Sequence, residues 1–511
     1  MKHFITILIL LIYCFTFVNA QTVNGEISNY EGKKILKVWG THYERGYAHG
    51  YLLADNILDV IDNYLLGFFF QNNIAVYEYS RQYVIDNFNI EDKYLTECEA
   101  LIDGMEAAGV DIYNQQLGRE YDKYDVLVSN SIVDLTALRK LRDELDFGCS
   151  SLSSWGNSTQ SDTELNGSIV ITRNMDWTAN QTLFDNHLLL VNLPEESTEN
   201  AWISFTFPGM IGALSAINEF NLSASMNMGN INYSSNEANL HPIFFSIRNG
   251  IEVNDYDEND LNQKEDIWKA INDKNHLSGS IIHAADINAA QVIETNNQNG
   301  SCYRTFAENT MIPEYHLAAT NHFRELYEPV YCYRYQGIAD SLDENSYMSK
   351  ERSWQVLAGA AGISTNLHAI QYVPSLNYIR WSTATGSSPA YQNDSSILDT
   401  EELFASPVSI DDSSIDLKNI FEIYPNPTNS KTTFKFCFEK SKKPSNTIKL
   451  EIYNLKGQKI RTLLDNQSES NNFSISWDGK NSHGDELANG LYLYKLEINE
   501  QAFVKKIIML K

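Results

Sequence analysis

The texture of the chain changes at Cys149, and that break constrains the fold more than any other feature. Upstream, between residues 43 and 70, apolar residues recur at mixed spacings of three and four: Leu52, Leu53, Ile57, Val60, Ile61 and Leu65. That spacing predicts helix. Further helices are predicted over residues 94–108 and 126–141, so residues 21–148 read as mostly helical. After Cys149, short β-rich runs take over at residues 168–172, 188–192, 202–207, 223–228 and 378–382. Helical stretches at 264–271 and 352–361 fall between them. The pattern is α+β with multiple strands. The Asn- and Asp-rich stretch 253–264 is expected to be a surface loop, and no internal repeat is present.

The two ends read differently from the middle. Lys2 and His3 precede an apolar run over residues 5–18, and Val18-Asn19-Ala20 has the small-residue spacing of a signal-peptidase site. Residues 1–20 are therefore expected to be a signal peptide cut after Ala20, which places the protein outside the cytoplasm. Residues 401–420, acidic and rich in Ser, read as a linker. Residues 421–511 carry short alternating runs at 433–438, 448–453 and 491–496. The hairpin-type dipeptides Asp478-Gly479 and Asn489-Gly490 punctuate them. This end predicts a small, all-β, Ig-like sandwich.

Charge follows the same division. The 511 residues hold 38 Lys and Arg against 66 Asp and Glu, a net of −28. Residues 421–511 contain 14 and 10 of these, leaving 24 and 56 before them: −32 on the first part, +4 on the tail. Such an acid excess excludes nucleic acid and anionic membrane surfaces as natural partners. Five cysteines follow the leader: Cys98, Cys149, Cys302, Cys332 and Cys437. An odd number in an exported chain leaves at least one thiol free unless it bridges to another molecule. Without a C-x-x-C pair there is no support for zinc or thioredoxin-type chemistry, and no metal or organic cofactor is expected. Cys302 and Cys332 could bridge, but spacing alone does not decide it.

The chemistry-bearing segment runs from Gly148-Cys149-Ser150 to Arg173-Asn174-Met175-Asp176-Trp177. Residues 151–156 and 168–173 can form strands, and 157–167 between them is polar and turn-rich. An antiparallel hairpin centred near residue 162 pairs residues whose numbers sum to about 324. Cys149 then lies opposite residue 175, so its thiol meets Arg173 and Asp176 at the end of the next strand. A thiolate is a strong nucleophile, and a nearby cation favours it. Cutting the Gly148–Cys149 bond would give Cys149 a free α-amine as general base for its own thiol; an unperturbed α-amine titrates at about 7.7–8.0. Arg173 would poise the thiolate, and Asp176 would hold the ammonium and orient the substrate. The ordinary alternative is a buried cysteine beside a weak surface ion pair.

These residues carry a resemblance. Gly-Cys-Ser followed some two dozen residues later by Arg-Asn-Met-Asp-Trp resembles the cysteine N-terminal-nucleophile (Ntn) hydrolases. The nearest branch is the penicillin acyltransferase-like family, with carcinine hydrolase-type enzymes; bile salt hydrolases share the Arg-Asn-Met-Asp element. Gly40-Thr41-His42-Tyr43-Glu44-Arg45-Gly46-Tyr47-Ala48-His49-Gly50 is similar to a segment of the acyltransferase-like proteins. The resemblance spans roughly residues 35–400. It implies a four-layer αββα sandwich, a helical pro-region at 21–148 freed by self-cleavage between Gly148 and Cys149, and a nucleophile chain at 149–400. It also implies roles for further residues. Met226-Asn227-Met228 places Asn227 as an oxyanion-hole donor, one residue off the bile salt hydrolase spacing. Ala319-Thr320-Asn321-His322-Phe323 places Asn321 beside the nucleophile, with His322 read as structural. Tyr333-Arg334-Tyr335 matches a late family arginine, Arg334, at a shorter separation than in bile salt hydrolases.

The tail carries a second resemblance. Phe421-Glu422-Ile423-Tyr424-Pro425-Asn426-Pro427, Leu450 to Gly457, Trp477-Asp478-Gly479, Asn489-Gly490-Leu491-Tyr492 and the basic end Lys505 to Lys511 occur in order. They resemble the C-terminal sorting domain of the type IX secretion system of Bacteroidetes. The resemblance implies that the tail is an address read by the secretion machinery. It also implies removal of the tail, or its exchange for a surface anchor, beyond the outer membrane. The combined expectation is a secreted, self-processing cysteine amidohydrolase or acyltransferase acting on a small-molecule linear amide. The rivals are a catalytically silent surface-binding protein on the same scaffold and a phospholipase B-like lipid amidase or esterase.

Overall fold

The structure is a computed structural model. It describes residues 22–138, 148–229, 239–308, 311–360 and 366–406, together with the strands of the tail between 421 and 509. The expected signal peptide, and the expected linker from residue 407 onward, lie outside the described residues. The chain divides into two compact units, Met1–Ser406 and Pro407–Lys511.

The first unit opens with a hairpin of β1 (Gly25–Tyr30) and β2 (Lys33–Gly40). Helices α1 (His42–Leu52), α2 (Ala54–Asp59), a π-helix (Val60–Phe69), α3 (Ile74–Asn87) and α4 (Asp92–Ala107) follow. A two-residue ladder, β3 (Tyr113–Asn114) with β4 (Arg119–Glu120), precedes α5 (Lys123–Asn130) and α6 (Ile132–Leu135). Beyond lie β5 (Gly148–Ser154), β6 (Val170–Asp176), α7 (Gln181–Asp185), β7 (Leu188–Pro194), β8 (Trp202–Thr206), β9 (Ser215–Asn218) and β10 (Ser223–Met228). Next come α8 (Ile243–Glu252), α9 (Lys264–Asn272), β11 (Ser280–Ala285), β12 (Ala290–Asn296), β13 (Gly300–Arg304) and β14 (His316–Ala319). The unit closes with α10 (Tyr333–Glu344), α11 (Lys350–Gly359), β15 (Asn366–Val373), β16 (Tyr378–Thr383), β17 (Ser396–Asp399) and α12 (Thr400–Phe404).

Two sheets result. Nine strands pair in the order β1-β2-β7-β8-β9-β10-β11-β12-β13, and six in the order β14-β5-β6-β15-β16-β17. Alternation along each strand assigns the faces. Leu188 and Leu190 of β7 pack with Leu65, Leu101 and Phe245 of the helices, whereas Leu189 and Val191 pack with Ile171 and Ile370 of the smaller sheet. On the smaller sheet Leu152 and Val170 pack outward on Ile338, Leu342 and Leu357 of α10 and α11. The layers are therefore helix, sheet, sheet, helix, as the resemblance implies.

Several sequence expectations need correction. The segment before Cys149 is not simply helical: β2 enters the large sheet parallel to β7, pairing Ile35 with Leu189 and Leu36 with Leu190. The single helix expected over 43–70 is three elements, and the one expected over 126–141 is broken at Ser131 into α5 and α6, with 139–141 outside the described residues. Helix α3 has no counterpart among the expectations. The expected linker begins too early, because α12 occupies Thr400–Phe404 and buries Leu403 in the core between the sheets.

Helices α1 and α4 cross with their backbones in contact. A Cβ at Gly46 would fall 2.3 Å from the Glu97 carbonyl oxygen, and one at Gly50 would fall 1.9 Å from that of Leu101. Only glycine fits at either place.

The second unit holds β18 (Phe421–Tyr424), β19 (Thr432–Cys437), β20 (Asn446–Tyr453), β21 (Lys459–Ser468), β22 (Asn472–Trp477), β23 (Gly490–Ile498) and β24 (Gln501–Met509). They form a three-stranded sheet, β18-β19-β22, and a four-stranded one, β21-β20-β23-β24. Phe434 and Trp477 of the first share a buried core with Ile448, Leu450 and Leu496 of the second.

Candidate active site

The β5–β6 hairpin has the register read from the sequence. Gly148 pairs with Asp176, Cys149 with Met175 and Ser151 with Arg173. The strand itself runs Gly148–Ser154 rather than 151–156, because Gly156 adopts a φ of +56° and starts a 3-10 turn. Cys149 is buried and its thiol is free, as are those of Cys98, Cys302 and Cys332.

Arg173 organises the space between the sheets. Its Nε donates to Ser215 Oγ at 2.9 Å, Nη1 to Asn227 Oδ1, and Nη2 to the Met226 carbonyl and, at 3.5 Å, to Cys149 Sγ. The three oxygen acceptors are neutral groups, and Arg173 is 3% exposed. A buried cation needs a counter-charge. Of the four groups that Arg173 meets, the Cys149 sulfur is the one that can become an anion during a reaction.

Asn227 is fully buried, and its amide orientation follows from that contact: Oδ1 faces the guanidinium, so Nδ2 points elsewhere. Among the described residues Asn227 Nδ2 has no hydrogen-bond partner. A buried, unused N–H donor on the same guanidinium that holds the thiol can receive an oxygen there.

Asn321 meets the other side of Cys149. Its Oδ1 accepts from the Cys149 backbone N–H at 2.7 Å, and its Nδ2 donates to the Met228 carbonyl at 2.8 Å. Arg334 Nη1 donates to the same Oδ1 at 3.3 Å, and Arg334 Nη2 lies 3.2 Å from Asp176. Asn366 Nδ2 also donates to Asp176, at 3.0 Å. Asp176 thus connects to the Cys149 nitrogen through Arg334 and Asn321. A Cβ at Gly148 would fall 2.0–2.1 Å from the Arg334 Nη atoms, so glycine there lets the guanidinium lie against the chain. All six side chains singled out in the sequence gather at one place. His322 stands half-buried nearby; burial, then Arg324 and Arg334, hold its pKa below the usual value, so it is a neutral imidazole.

Sequence reasoning missed a second constellation, in the Gly40–Gly50 motif. His42 and Arg45 of α1, Lys93 and Glu97 of α4, Glu199, and Arg248 and Glu252 of α8 form a buried ion lattice. His42 lies 2.7 Å from Glu97 and 2.9 Å from Glu199; Arg248 lies 2.7 Å from both Glu97 and Glu252; Arg45 lies 3.1 Å from Glu199 and 3.2 Å from Glu252. Burial opposes the charge on Glu97, but Arg248 and His42 outweigh it and hold the carboxyl down to about 2. Burial likewise opposes the His42 charge, and its bonds to Glu199 and Glu97 raise its pKa above the usual value. The spacing of His42 and Arg45 on one helix face was the available signal.

Among the described residues, two groupings have ligand geometry for a cation: His42 with Glu199 and Glu252, and Asp255 with Asp257 and Asp266. In the first, Arg45, Lys93 and Arg248 already supply the positive charge. In the second, Asp255 and Asp257 lie on the loop that the sequence assigns to the surface, and Asp266 is buried in the first turn of α9.

Residues 422–510 match the family model described as a secretion system C-terminal sorting domain. The tail is a sorting domain. It marks the chain as exported, to the cell surface or the surroundings, and among the described residues no helix is long and apolar enough to cross a membrane. No curated protein matches the chain. Among solved structures, a Caenorhabditis elegans N-acylethanolamine-hydrolyzing acid amidase ortholog is similar, at 19% identity and a TM-score of 0.33, over 45% of this chain and 94% of that one. A mutant conjugated bile acid hydrolase from Clostridium perfringens is similar at 11% identity and a TM-score of 0.33, over 50% of this chain and 95% of that one. Dimeric latent PorU from Porphyromonas gingivalis is similar at 20% identity and a TM-score of 0.17, over 28% of this chain and 12% of that one.

Proposed function

We propose that this protein is an exported cysteine amidohydrolase that activates itself by cleavage between Gly148 and Cys149. The observation that carries the reading is the convergence on Cys149: Arg173 at its sulfur and Asn321 at its nitrogen, 3.5 and 2.7 Å away. Sulfur and nitrogen are the two atoms an N-terminal nucleophile uses.

In self-cleavage the Cys149 sulfur adds to the Gly148 carbonyl carbon. The C–N bond breaks as the nitrogen takes a proton, leaving a thioester, and water then yields the Gly148 carboxylate and the free thiol. The new α-amine stays within reach of Asn321. In turnover that amine takes the thiol proton, and the sulfur attacks the substrate carbonyl. Asn227 Nδ2 donates to the oxygen that becomes negative, an interaction worth about 3–4 kcal/mol in comparable sites. The ammonium returns its proton to the departing amine, and water resolves the acyl thioester. Asp176, through Arg334 and Asn321, keeps the α-amine aligned.

Mass spectrometry of the enzyme quenched during turnover of an amide tests the mechanism. A mass increase equal to the acyl group on the peptide that begins with Cys149 is expected. Amide hydrolysis by Cys149→Ala would refute it.

A further inference from the structure

An apolar cavity adjoins the strand ends that carry Cys149. It is a narrow, partly open space whose exposed lining is almost wholly apolar. Its wall has two origins. Val60 and Leu65 of the π-helix and Val133 of α6 precede the proposed cleavage point, whereas Met175, Trp177 and Met210 follow it. Met175 links the cavity to the site, being the cross-strand partner of Cys149.

No charged side chain lines this space. Its hydrogen-bonding side chains are Tyr64, Trp177 and Ser129; the donors of Trp177 and Ser129 are engaged, which leaves the wall one hydroxyl proton, that of Tyr64. Trp177 Nε1 donates to the Tyr64 hydroxyl, and Ser129 Oγ donates to the Asp125 carbonyl at 3.3 Å. An occupant with an ammonium, or with more polar groups than the single Tyr64 hydroxyl can meet, would bury them unpaired, and each such group would weaken binding by about tenfold or more. Peptides, β-lactam nuclei and hydroxylated steroids fit such a wall poorly. A hydrocarbon chain suits it throughout. The length of chain the cavity takes is what the acyl series below reads.

We infer that the cavity is the acyl site, and that the substrate is the amide of an aliphatic carboxylic acid whose tail lies between the two processed segments. This rests on the Cys149 reading above. The reaction transfers the acyl carbon to the Cys149 sulfur, releases the amine with its proton, and ends with water forming the free acid. A consequence follows for the segment before Cys149. Because it supplies one wall of the acyl site, it stays as a working subunit after cleavage.

The test uses the self-cleaved protein and a series of amides of one fluorogenic amine with unbranched acyl groups of two to sixteen carbons. kcat/KM is expected to rise by about fourfold per methylene, from the usual transfer free energy, until the cavity is full. Leu65→Phe, which fills the cavity, is expected to move the optimum to shorter chains, and Val133→Ala, which enlarges it, to longer ones. Opposite shifts from two residues distinguish a pocket from a folding defect. A profile flat in chain length, optima unmoved in both variants, or better hydrolysis of bile amides or β-lactams overturns the acyl-site inference while leaving Cys149 as nucleophile. So does a self-cleaved protein that hydrolyses none of the series. A Cys149 that neither cleaves the chain nor takes up an acyl group overturns the reading beneath it.

Discussion

Glu252 holds the ion lattice together, and Glu252→Gln is expected to destabilise the first unit by about 3–5 kcal/mol. Glu252 is fully buried. Its Oε1 accepts from Arg248 Nη2 at 2.7 Å, Trp202 Nε1 at 3.1 Å and Arg45 Nη2 at 3.2 Å; its Oε2 accepts from Arg248 Nε at 2.9 Å and Tyr94 at 3.2 Å. Glutamine keeps the volume but removes the charge and turns an NH₂ toward a guanidinium. Four cations (His42, Arg45, Lys93 and Arg248) would then face Glu97, Glu199 and the part-exposed Glu196 alone. The cost is that of leaving a buried charge uncompensated, a large fraction of the roughly 5–15 kcal/mol that holds a domain folded. Urea unfolding of the Cys149→Ala background, where self-cleavage does not intervene, reads this as a fall in midpoint on the order of 1 M. Glu196→Gln is the control: with a third of its side chain exposed, its pair with Arg45 is worth under about 1 kcal/mol. Equal and small shifts for the two variants would refute the assignment of the lattice as a buried, mutually dependent unit.

The same lattice sets a pH window for stability. His42 is raised above its unfolded value near 6.5, so its contribution is full below that pH and fades as pH rises through the folded value. Glu97, held down to about 2, contributes fully above the unfolded carboxyl value near 4.5 and loses that contribution progressively as pH falls from there through the folded value. Thermal melts should therefore peak between about pH 4.5 and 6.5, and His42→Asn should flatten the alkaline side; an unchanged alkaline slope would contradict the assignment. Asn227→Ala should lower kcat by about 10²–10³ with a smaller effect on KM, and a loss under tenfold would remove Nδ2 from the mechanism. Gly148→Val puts side-chain atoms where the Arg334 guanidinium lies, so self-cleavage should slow measurably on a time course by gel; an unaltered half-time would show that the Arg334 contacts to Asp176 and Asn321 do not matter.

The centre of the site was legible in the sequence because it rests on local geometry. A polar, turn-rich run centred near residue 162 fixes the hairpin, and the hairpin places Arg173 and Asp176 at the end that carries Cys149. Asn227, Asn321 and Arg334 came instead through resemblance, since nothing local links them to a thiol 78 to 185 residues away. The rest was hidden for physical reasons. Strand β2 pairs in parallel with β7 across a gap of about 150 residues, and such pairing leaves no turn signal. Glu97, Arg248 and Glu252 read as surface charge, because a carboxylate offsets its desolvation only where unseen partners surround it. The apolar cavity is assembled from both sides of Gly148, so neither segment shows it alone. The helical pattern over 43–70 gave the buried face but not the π-helical winding of Val60–Phe69 that turns Tyr64 onto Trp177.

The central claim is that Cys149 becomes a chain terminus and a nucleophile. Intact-mass analysis of the purified protein, followed by N-terminal sequencing of each fragment, tests it most directly. Two fragments are expected from the parent protein, the second beginning at Cys149, and one uncut chain from Cys149→Ala. A parent chain that remains whole after prolonged incubation, or one that hydrolyses amides while whole, would contradict it.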